Sequence, residues 1–357
     1  MTGWMEHMGT PDSALTHPLH RDRDLVPRIS IVVPAYNEEE VLHEFYRRSV
    51  AVLRSLGNPY EIIFVNDGSR DRTLAVMNEL RAIDGRIAII DLSRNFGKEI
   101  ALTAGLDHCQ GDVIVVIDAD LQDPPELIPK LLEVWAQGYD VAYAVRTRRE
   151  GESWIKKTTA SLFYKVIQRV SRVHIPKNTG DYRLMSRRAV KSLGKLREQH
   201  RFMKGLFAWI GHPSKPVYYE REPRVAGRTK WNYWSLWNLA LEGITSFTVV
   251  PLKVATYFGF GVAGSSFLFA LKVIYKKLVY GDPVTGYPSL MVAILFLGGV
   301  QLIFIGVIGE YLGRVFNEVK GRPLYVMNGV LPSNLAAEPY LTATRVDASD
   351  VAVDKVA

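Results

Sequence analysis

Val113-Ile114-Val115-Val116-Ile117-Asp118-Ala119-Asp120 is an unbroken run of β-branched residues that ends abruptly in two carboxylates. A strand with one wet face alternates apolar and polar residues. This run is apolar on both faces, the pattern of a strand buried in a parallel sheet between layers of helix. Ile29 to Val33, Ile62 to Val65, Ile87 to Ile90 and Val141 to Val145 repeat it, with helical stretches between them. That alternation predicts an α/β domain on a mostly parallel sheet. Three of the runs pass directly into polar clusters: Pro34-Ala35-Tyr36-Asn37-Glu38, Asn66-Asp67-Gly68-Ser69 and Asp118-Ala119-Asp120. Open α/β sheets bind ligands outside the carboxyl ends of such strands.

A chain of 357 residues, 48% of them apolar, has room for roughly two domains and a sizeable core. Its 44 Lys and Arg against 37 Asp and Glu leave a net charge of +7. That balance suits anionic lipid, a phosphate-rich substrate or nucleic acid, but no nucleic-acid-binding motif accompanies it, so nucleic acid is not expected as a partner. Cys109 is the only cysteine, which excludes an intrachain disulfide or a cysteine-based zinc site and fits a reducing compartment. Residues 1–27 are polar, with His7, His17 and His20, and lack the apolar run of a signal peptide; they read as a flexible N-terminal tail.

The second half changes character. Val254 to Leu271 holds 18 residues without a charge and Ser289 to Gly309 holds 21. As helices they span roughly 27 and 31 Å, matching a hydrocarbon core, so residues 248–316 read as a transmembrane hairpin. An even number of spans places both ends on one side. Basic residues flank both sides of the hairpin and do not orient it. Residues 153–173 and 231–247 read as interfacial helices. The first rings an apolar face with Lys156, Lys157, Lys165, Arg169 and Arg172, and the second carries Trp231, Trp234 and Trp237 just before the first span. Gly259-Phe260-Gly261-Val262-Ala263-Gly264 spells a dinucleotide motif but follows no strand, and reads as helix packing. Residues 317–357 are left as a cytoplasmic C-terminal tail.

Asp118 and Asp120, one turn after a buried strand, can converge on a cation. Two hard oxygen ligands suit Mg²⁺ or Mn²⁺, and such a metal would neutralise a diphosphate leaving group.

From Ile29 to Val326 the chain resembles the family 2 glycosyltransferases, and within them the bacterial polyprenyl-phosphate glycosyltransferases of the bactoprenol glucosyltransferase group. The resemblance rests on Val33-Pro34-Ala35-Tyr36-Asn37-Glu38-Glu39, Val65-Asn66-Asp67-Gly68-Ser69, Leu92-Ser93-Arg94-Asn95-Phe96-Gly97-Lys98 and Asp118-Ala119-Asp120-Leu121-Gln122-Asp123-Pro124-Pro125. It continues in Thr179-Gly180-Asp181-Tyr182-Arg183-Leu184, Arg201-Phe202-Met203-Lys204-Gly205 and Ala226-Gly227-Arg228-Thr229-Lys230-Trp231. It implies a GT-A fold over residues 28–230, a two-helix membrane anchor, and inverting transfer of a sugar from a nucleotide donor to a polyprenyl phosphate at the cytoplasmic membrane face. UDP-glucose and undecaprenyl phosphate are the first choices. UDP-N-acetylhexosamine or GDP-mannose is the alternative donor. A non-catalytic membrane scaffold is the rival from another class, and a homo-oligomer is left open.

Carried over by position, the resemblance implies that Pro34, Ala35, Tyr36, Glu38 and Asp67 form the pocket for base and ribose, with Asp67 free to bind and Ser69 spent on the turn. Gly97 and Lys98 open a helix toward a phosphate. Asp118, Ala119 and Asp120 line the diphosphate, with Gln122 as a further ligand or acceptor contact. Arg183, Arg201, Arg224 and Lys230 converge on the lipid phosphate, where arginine gives charge-assisted contacts. Asp181 matches the position assigned as the base. Its nucleophile, however, is a phosphate monoester with a second pKa near about 6, so a positioning role is expected instead, with Arg183 offsetting its charge.

Overall fold

All five apolar runs become strands of one sheet. The computed structural model describes residues 26–147, 179–220, 250–280 and 286–335. The strands are β1 (Ile29–Ala35), β2 (Tyr60–Asn66), β3 (Ile87–Leu92), β4 (Val113–Val116), β5 (Val141–Arg146), β6 (Thr179–Ser186), β7 (Ser214–Tyr219) and β8 (Met327–Leu331). Their spatial order is β7-β5-β6-β4-β1-β2-β3-β8. β1 to β4 run parallel, β6 runs against β4 and β5, β7 follows β5, and β8 runs against β3, so only β6 and β8 oppose the rest. The expectation of a mostly parallel sheet holds.

The strands alternate between two cores, as period-2 geometry requires. Ile29, Ile31, Val33 and Phe64 face helices α1 (Leu42–Leu56), α2 (Thr73–Ile83) and α4 (Ile128–Ala136). Val32, Val65, Ile114 and Val116 face α3 (Lys98–His108), α5 (Arg187–Leu193) and α6 (Met203–Trp209). The approach of α3 is set by Gly105, where a Cβ would lie 2.3 Å from Val32 Cγ1 and 3.1 Å from Val65 Cγ2. Only a glycine lets the helix press this closely onto β1 and β2, and that fixes where its first residue, Lys98, stands.

Two long helices follow, α7 (Val250–Tyr280) and α8 (Tyr287–Val319), each extending beyond the span read from sequence. They touch through Phe258 and Phe304, whose ring centroids are 5.9 Å apart. Tyr257, Phe260, Phe267, Leu302, Ile303 and Ile308 are all exposed. So large an exposed apolar surface marks an interaction surface, of the kind that lipid or another protein covers. By length and composition α8 can cross a bilayer, while the apolar part of α7, Val254–Phe269, is shorter. The literal dinucleotide motif at Gly259 lies inside α7, as helix.

One sequence expectation changes here. Residues 317–357 are not simply a tail, because Met327–Leu331 is an edge strand of the catalytic sheet, pairing Ile89 with Leu331 and Ile90 with Val330. The interfacial helices expected at 153–173 and 231–247, and nearly all of the N-terminal tail, lie outside the described residues.

Candidate active site

The chain winds outward from β1 through β2 to β3, then returns to the other side of β1 to form β4. The crevice where the strand order reverses is the natural ligand site of an open α/β sheet, and its walls are the loops after β1 and β4. Each loop carries a non-glycine residue with positive φ: Asn37 at 54° and Leu121 at 58°. These are the only two among the described residues. A left-handed Leu is strained, and such strain gathers at functional sites.

The first wall is stitched to the loop after β2. Asn37 N donates to Ser69 Oγ at 3.0 Å, Arg70 N to Asn37 Oδ1 at 2.8 Å, Glu38 N to Thr73 Oγ1 at 2.8 Å and Arg72 N to Glu39 Oε2 at 2.8 Å. Ser69 closes its own turn, its N donating to Asn66 Oδ1 at 3.1 Å, and its hydroxyl also bridges the two loops. Asp67, expected free to bind, is buried, and both its oxygens are occupied: Phe96 N donates at 2.7 Å and Gly97 N at 3.0 Å. Burial raises its pKa, and the two amides and Arg94 oppose that. Its work in this state is to hold the loop before α3. Gly68, at φ 65°, allows the crossing, since a Cβ there would meet the backbone carbon of Arg94 at 2.4 Å.

The second wall brings Asp118 and Asp181 together. Val116 pairs with Arg183 across the antiparallel β4 and β6. Extending that register by two residues places Asp118 opposite Asp181. Two carboxylates there repel, and Lys98 lies between them, its Nζ 2.8 Å from Asp118 and 2.7 Å from Asp181. Burial works to lower the Lys98 pKa, but the two carboxylates outweigh it and hold the ammonium well above its ordinary value. Burial would likewise raise Asp181; Lys98, Lys204 and Arg183 win, and its carboxyl is held well below the usual range. Glu99, next to Lys98, accepts from Met203 N at 3.3 Å, and burial together with the Asp181 charge pushes it up to about 8.

Asp120 is partly buried and takes the Gln122 amide at 3.2 Å, so Gln122 and Asp120 share one tight turn around Leu121. Pro34, Ala35 and Ala119 are buried backbone of the two walls, while Tyr36 and Glu38 are half-buried at the crevice. Asp123, buried below Asp120, anchors this turn to the far half of the sheet through Tyr219 and Arg146. Arg146 ends β5 and opens onto Gly180. Neither Arg146 nor Glu99 was singled out from sequence. The one available signal was position: Arg146 ends an apolar run, and Glu99 adjoins Lys98.

Arg183 and Arg201 were expected to converge on a phosphate, yet both are buried. Arg183 donates to the carbonyls of Asp181 at 3.1 Å and Gly180 at 2.9 Å and lies 3.5 Å over the Phe207 ring. Burial pushes its guanidinium down to about 10. Arg201 donates to Leu196 O at 2.6 Å. In this state they brace the backbone around Asp181 and the turn into α6. Arg224 and Lys230 lie outside the described residues.

The glycosyl transferase family 2 profile matches residues 30–194, and that of the GtrB C-terminal hairpin matches residues 250–315. An uncharacterised glycosyltransferase of Synechocystis is 56% identical over 300 residues, covering 84% of this chain and 94% of that protein. The SfII prophage-derived bactoprenol glucosyl transferase of Shigella flexneri is 51% identical over 302 residues, covering 84% and 97%. A prophage bactoprenol glucosyl transferase homolog of Escherichia coli K12 is 48% identical, covering 85% and 99%. Among solved structures, glucosyl-3-phosphoglycerate synthase of Mycobacterium tuberculosis is 20% identical, with a TM-score of 0.45 over 63% of this chain and 79% of that one.

Proposed function

The chain belongs to the family 2 glycosyltransferases, and from that premise we propose that it moves glucose from UDP-glucose onto undecaprenyl phosphate at the cytoplasmic face of the cell membrane. The observation that carries this reading is the Asp118, Lys98 and Asp181 cluster at the switch point, in a chain about half identical to bactoprenol glucosyl transferases along nearly their whole length. A phosphate oxygen of the lipid attacks the anomeric carbon as the bond from that carbon to the diphosphate breaks. The nucleoside diphosphate leaves with the electron pair, and a single displacement inverts the centre.

The loops after β1 and β2, with Pro34, Ala35, Tyr36 and Glu38, hold base and ribose, and Asp67 shapes the pocket by fixing Phe96 and Gly97. The amides and ammonium at Gly97 and Lys98 meet the diphosphate. The donor set of Asp118, Asp120 and the Gln122 side chain fits Mg²⁺ or Mn²⁺, because such ions are commonly held by one or two carboxylates with substrate phosphates and water supplying the rest. A bound ion supplies charge neutralisation at the leaving group. When the donor enters, Lys98 exchanges a carboxylate for a phosphate. Asp181, its charge already matched by cations, orients the acceptor or the sugar. Arg183 keeps its backbone rigid, Arg201 braces the turn into α6, and Arg224 and Lys230 are the cations that meet the lipid phosphate, with Arg146 engaged by Asp123 and Tyr219. α7 and α8 form a multi-pass anchor that brings this edge of the sheet to the lipid, in a chain that admits a homo-oligomer.

The test is to incubate purified full-length protein with undecaprenyl phosphate and labelled UDP-glucose, UDP-N-acetylglucosamine or GDP-mannose. Label from UDP-glucose should enter lipid. Labelling only from another donor overturns the sugar assignment, and no labelling from any donor overturns the reaction.

A further inference from the structure

The chain leaving α8 returns to the catalytic domain at two places. The first is the segment before α6: Gln199 N donates to Glu318 Oε1 at 2.7 Å, Gln199 Nε2 to Arg322 O at 2.5 Å and Asn317 Nδ2 to His200 Nε2 at 2.9 Å. The second is β3. Tyr325 donates to Asp107 at the end of α3, at 2.8 Å, Ser93 N donates to Val326 O at 2.9 Å, and β8 then pairs along β3. The pairing has a bulge between Asp91 and Leu92. Bulges re-aim side chains and recur beside active sites.

At that bulge Asp91 divides its two oxygens. Asn328 Nδ2 from β8 donates to Oδ2 at 2.9 Å, and Asn66 Nδ2 from the end of β2 donates to Oδ1 at 2.6 Å. Asn66 is buried, and its own oxygen accepts from Ser69 N at 3.1 Å. Ser69 Oγ in turn accepts the amide of Asn37, the left-handed residue of the first wall. One unbroken relay therefore runs from the strand behind the second apolar helix to the left-handed turn of the donor loop. Asn adopts that backbone region more readily than other side-chain-bearing residues, and the Ser69 contact holds it there.

We infer that Asn328 and Asp91 are positioning residues for the donor nucleotide: the strap Tyr325–Leu331 holds the loops after β1 and β2 in register through Asp91, Asn66 and Ser69. This rests on the reading of those loops as the nucleotide pocket. Asn328 orients the Asp91 carboxylate, the carboxylate fixes which way the Asn66 amide faces, and the amide fixes the turn at Ser69. Asn328 is exposed, so its replacement leaves the fold standing. What moves is the geometry offered to the donor.

The test is a double-mutant cycle in the full-length protein, read by calorimetric binding of UDP, with GDP in parallel, and by thermal stability. Asn328→Asp sets a second carboxylate against Asp91 and should weaken UDP binding about five- to tenfold with the melting temperature nearly unchanged. Asp91→Asn with Asn328→Asp restores both hydrogen bonds with the roles exchanged, since the amide now on β3 accepts from Asn66 and donates to the carboxylate now on β8. Binding should return to within about twofold of the parent. A parent that binds GDP and not UDP overturns the donor assignment, and the cycle is then read with GDP. Unchanged affinity in Asn328→Asp for the nucleotide the parent binds, or no recovery in the double variant, overturns the inference.

Discussion

Replacing Lys98 by Met keeps most of the side chain's apolar stem and deletes its charge. At 2.8 Å a unit ion pair is worth roughly 1.5 kcal/mol in water and roughly 6 kcal/mol at an effective dielectric of about 20. The Lys98 side chain is 44% exposed, so solvent screening and ordering of the side chain bring each pair to about 1–2 kcal/mol net. Two opposite consequences follow. Without nucleotide, the ammonium competes with a divalent ion for Asp118, and its removal should tighten Mn²⁺ binding about 5- to 30-fold. With donor bound, a charge-assisted contact to the diphosphate is lost, and kcat/KM for transfer should fall about 10- to 150-fold, corresponding to 1.5–3 kcal/mol. Mn²⁺ affinity is measured by paramagnetic resonance on donor-free protein, and transfer by radiolabel reaching lipid. Looser Mn²⁺ binding, or undiminished transfer, would refute the exchange of Lys98 between carboxylate and phosphate.

Asp120→Asn, and chelation of the parent, should each remove most transfer with the fold intact; undiminished turnover in excess chelator would sink the metal assignment. Asp181→Asn should slow transfer by a similar factor at every pH above about 7, where the acceptor phosphate is already a dianion. Activity that instead climbs steeply with pH would make Asp181 the base. Glu99 ionises near 4.5 when unfolded and near 8 when folded, so the folded state holds the extra proton and loses stability as pH rises across that window. Glu99→Gln should therefore show a smaller fall in melting temperature between pH 6 and 8.5 than the parent, and an equal fall would remove the raised pKa assigned to Glu99. Gly68→Ala must move the Arg94 backbone and hold a left-handed alanine, costing about 2–4 kcal/mol, read as a lowered melting temperature together with weakened UDP binding.

The sheet was legible because five runs are apolar on both faces, and burial in a parallel sheet leaves that signature whatever the rest of the chain does. β8 was not. Met327-Asn328-Gly329-Val330-Leu331 is short, contains an Asn-Gly pair that reads as a turn, and is exposed along its length, so nothing local marks it as a strand. Its pairing with β3 is a long-range choice, made by where α8 ends. Arg183 and Arg201 show a different limit. A guanidinium bracing carbonyls and one awaiting a phosphate are the same residue in sequence, and only burial separates them. Nothing in the sequence marks Glu99, since a first-turn acid has an ordinary explanation in the helix dipole.

Lys98, Asp118 and Asp181 were each singled out from sequence, but for separate tasks. What joins them is geometry from three distant choices: Gly105 lets α3 sink onto β1 and β2, the β4 and β6 register sets Asp118 opposite Asp181, and the Asp67 carboxylate holds Phe96 and Gly97 so that the helix begins at Lys98. Each choice alone leaves a cost. The register sets like charges face to face, and the helix start leaves an ammonium aimed inward. Together the costs cancel, because one ammonium satisfies both carboxylates. On the proposed function, a nucleotide donor has to displace Lys98 from at least one carboxylate, so the strength of that ion pair would set both how readily a divalent ion enters and how firmly the diphosphate is gripped afterwards.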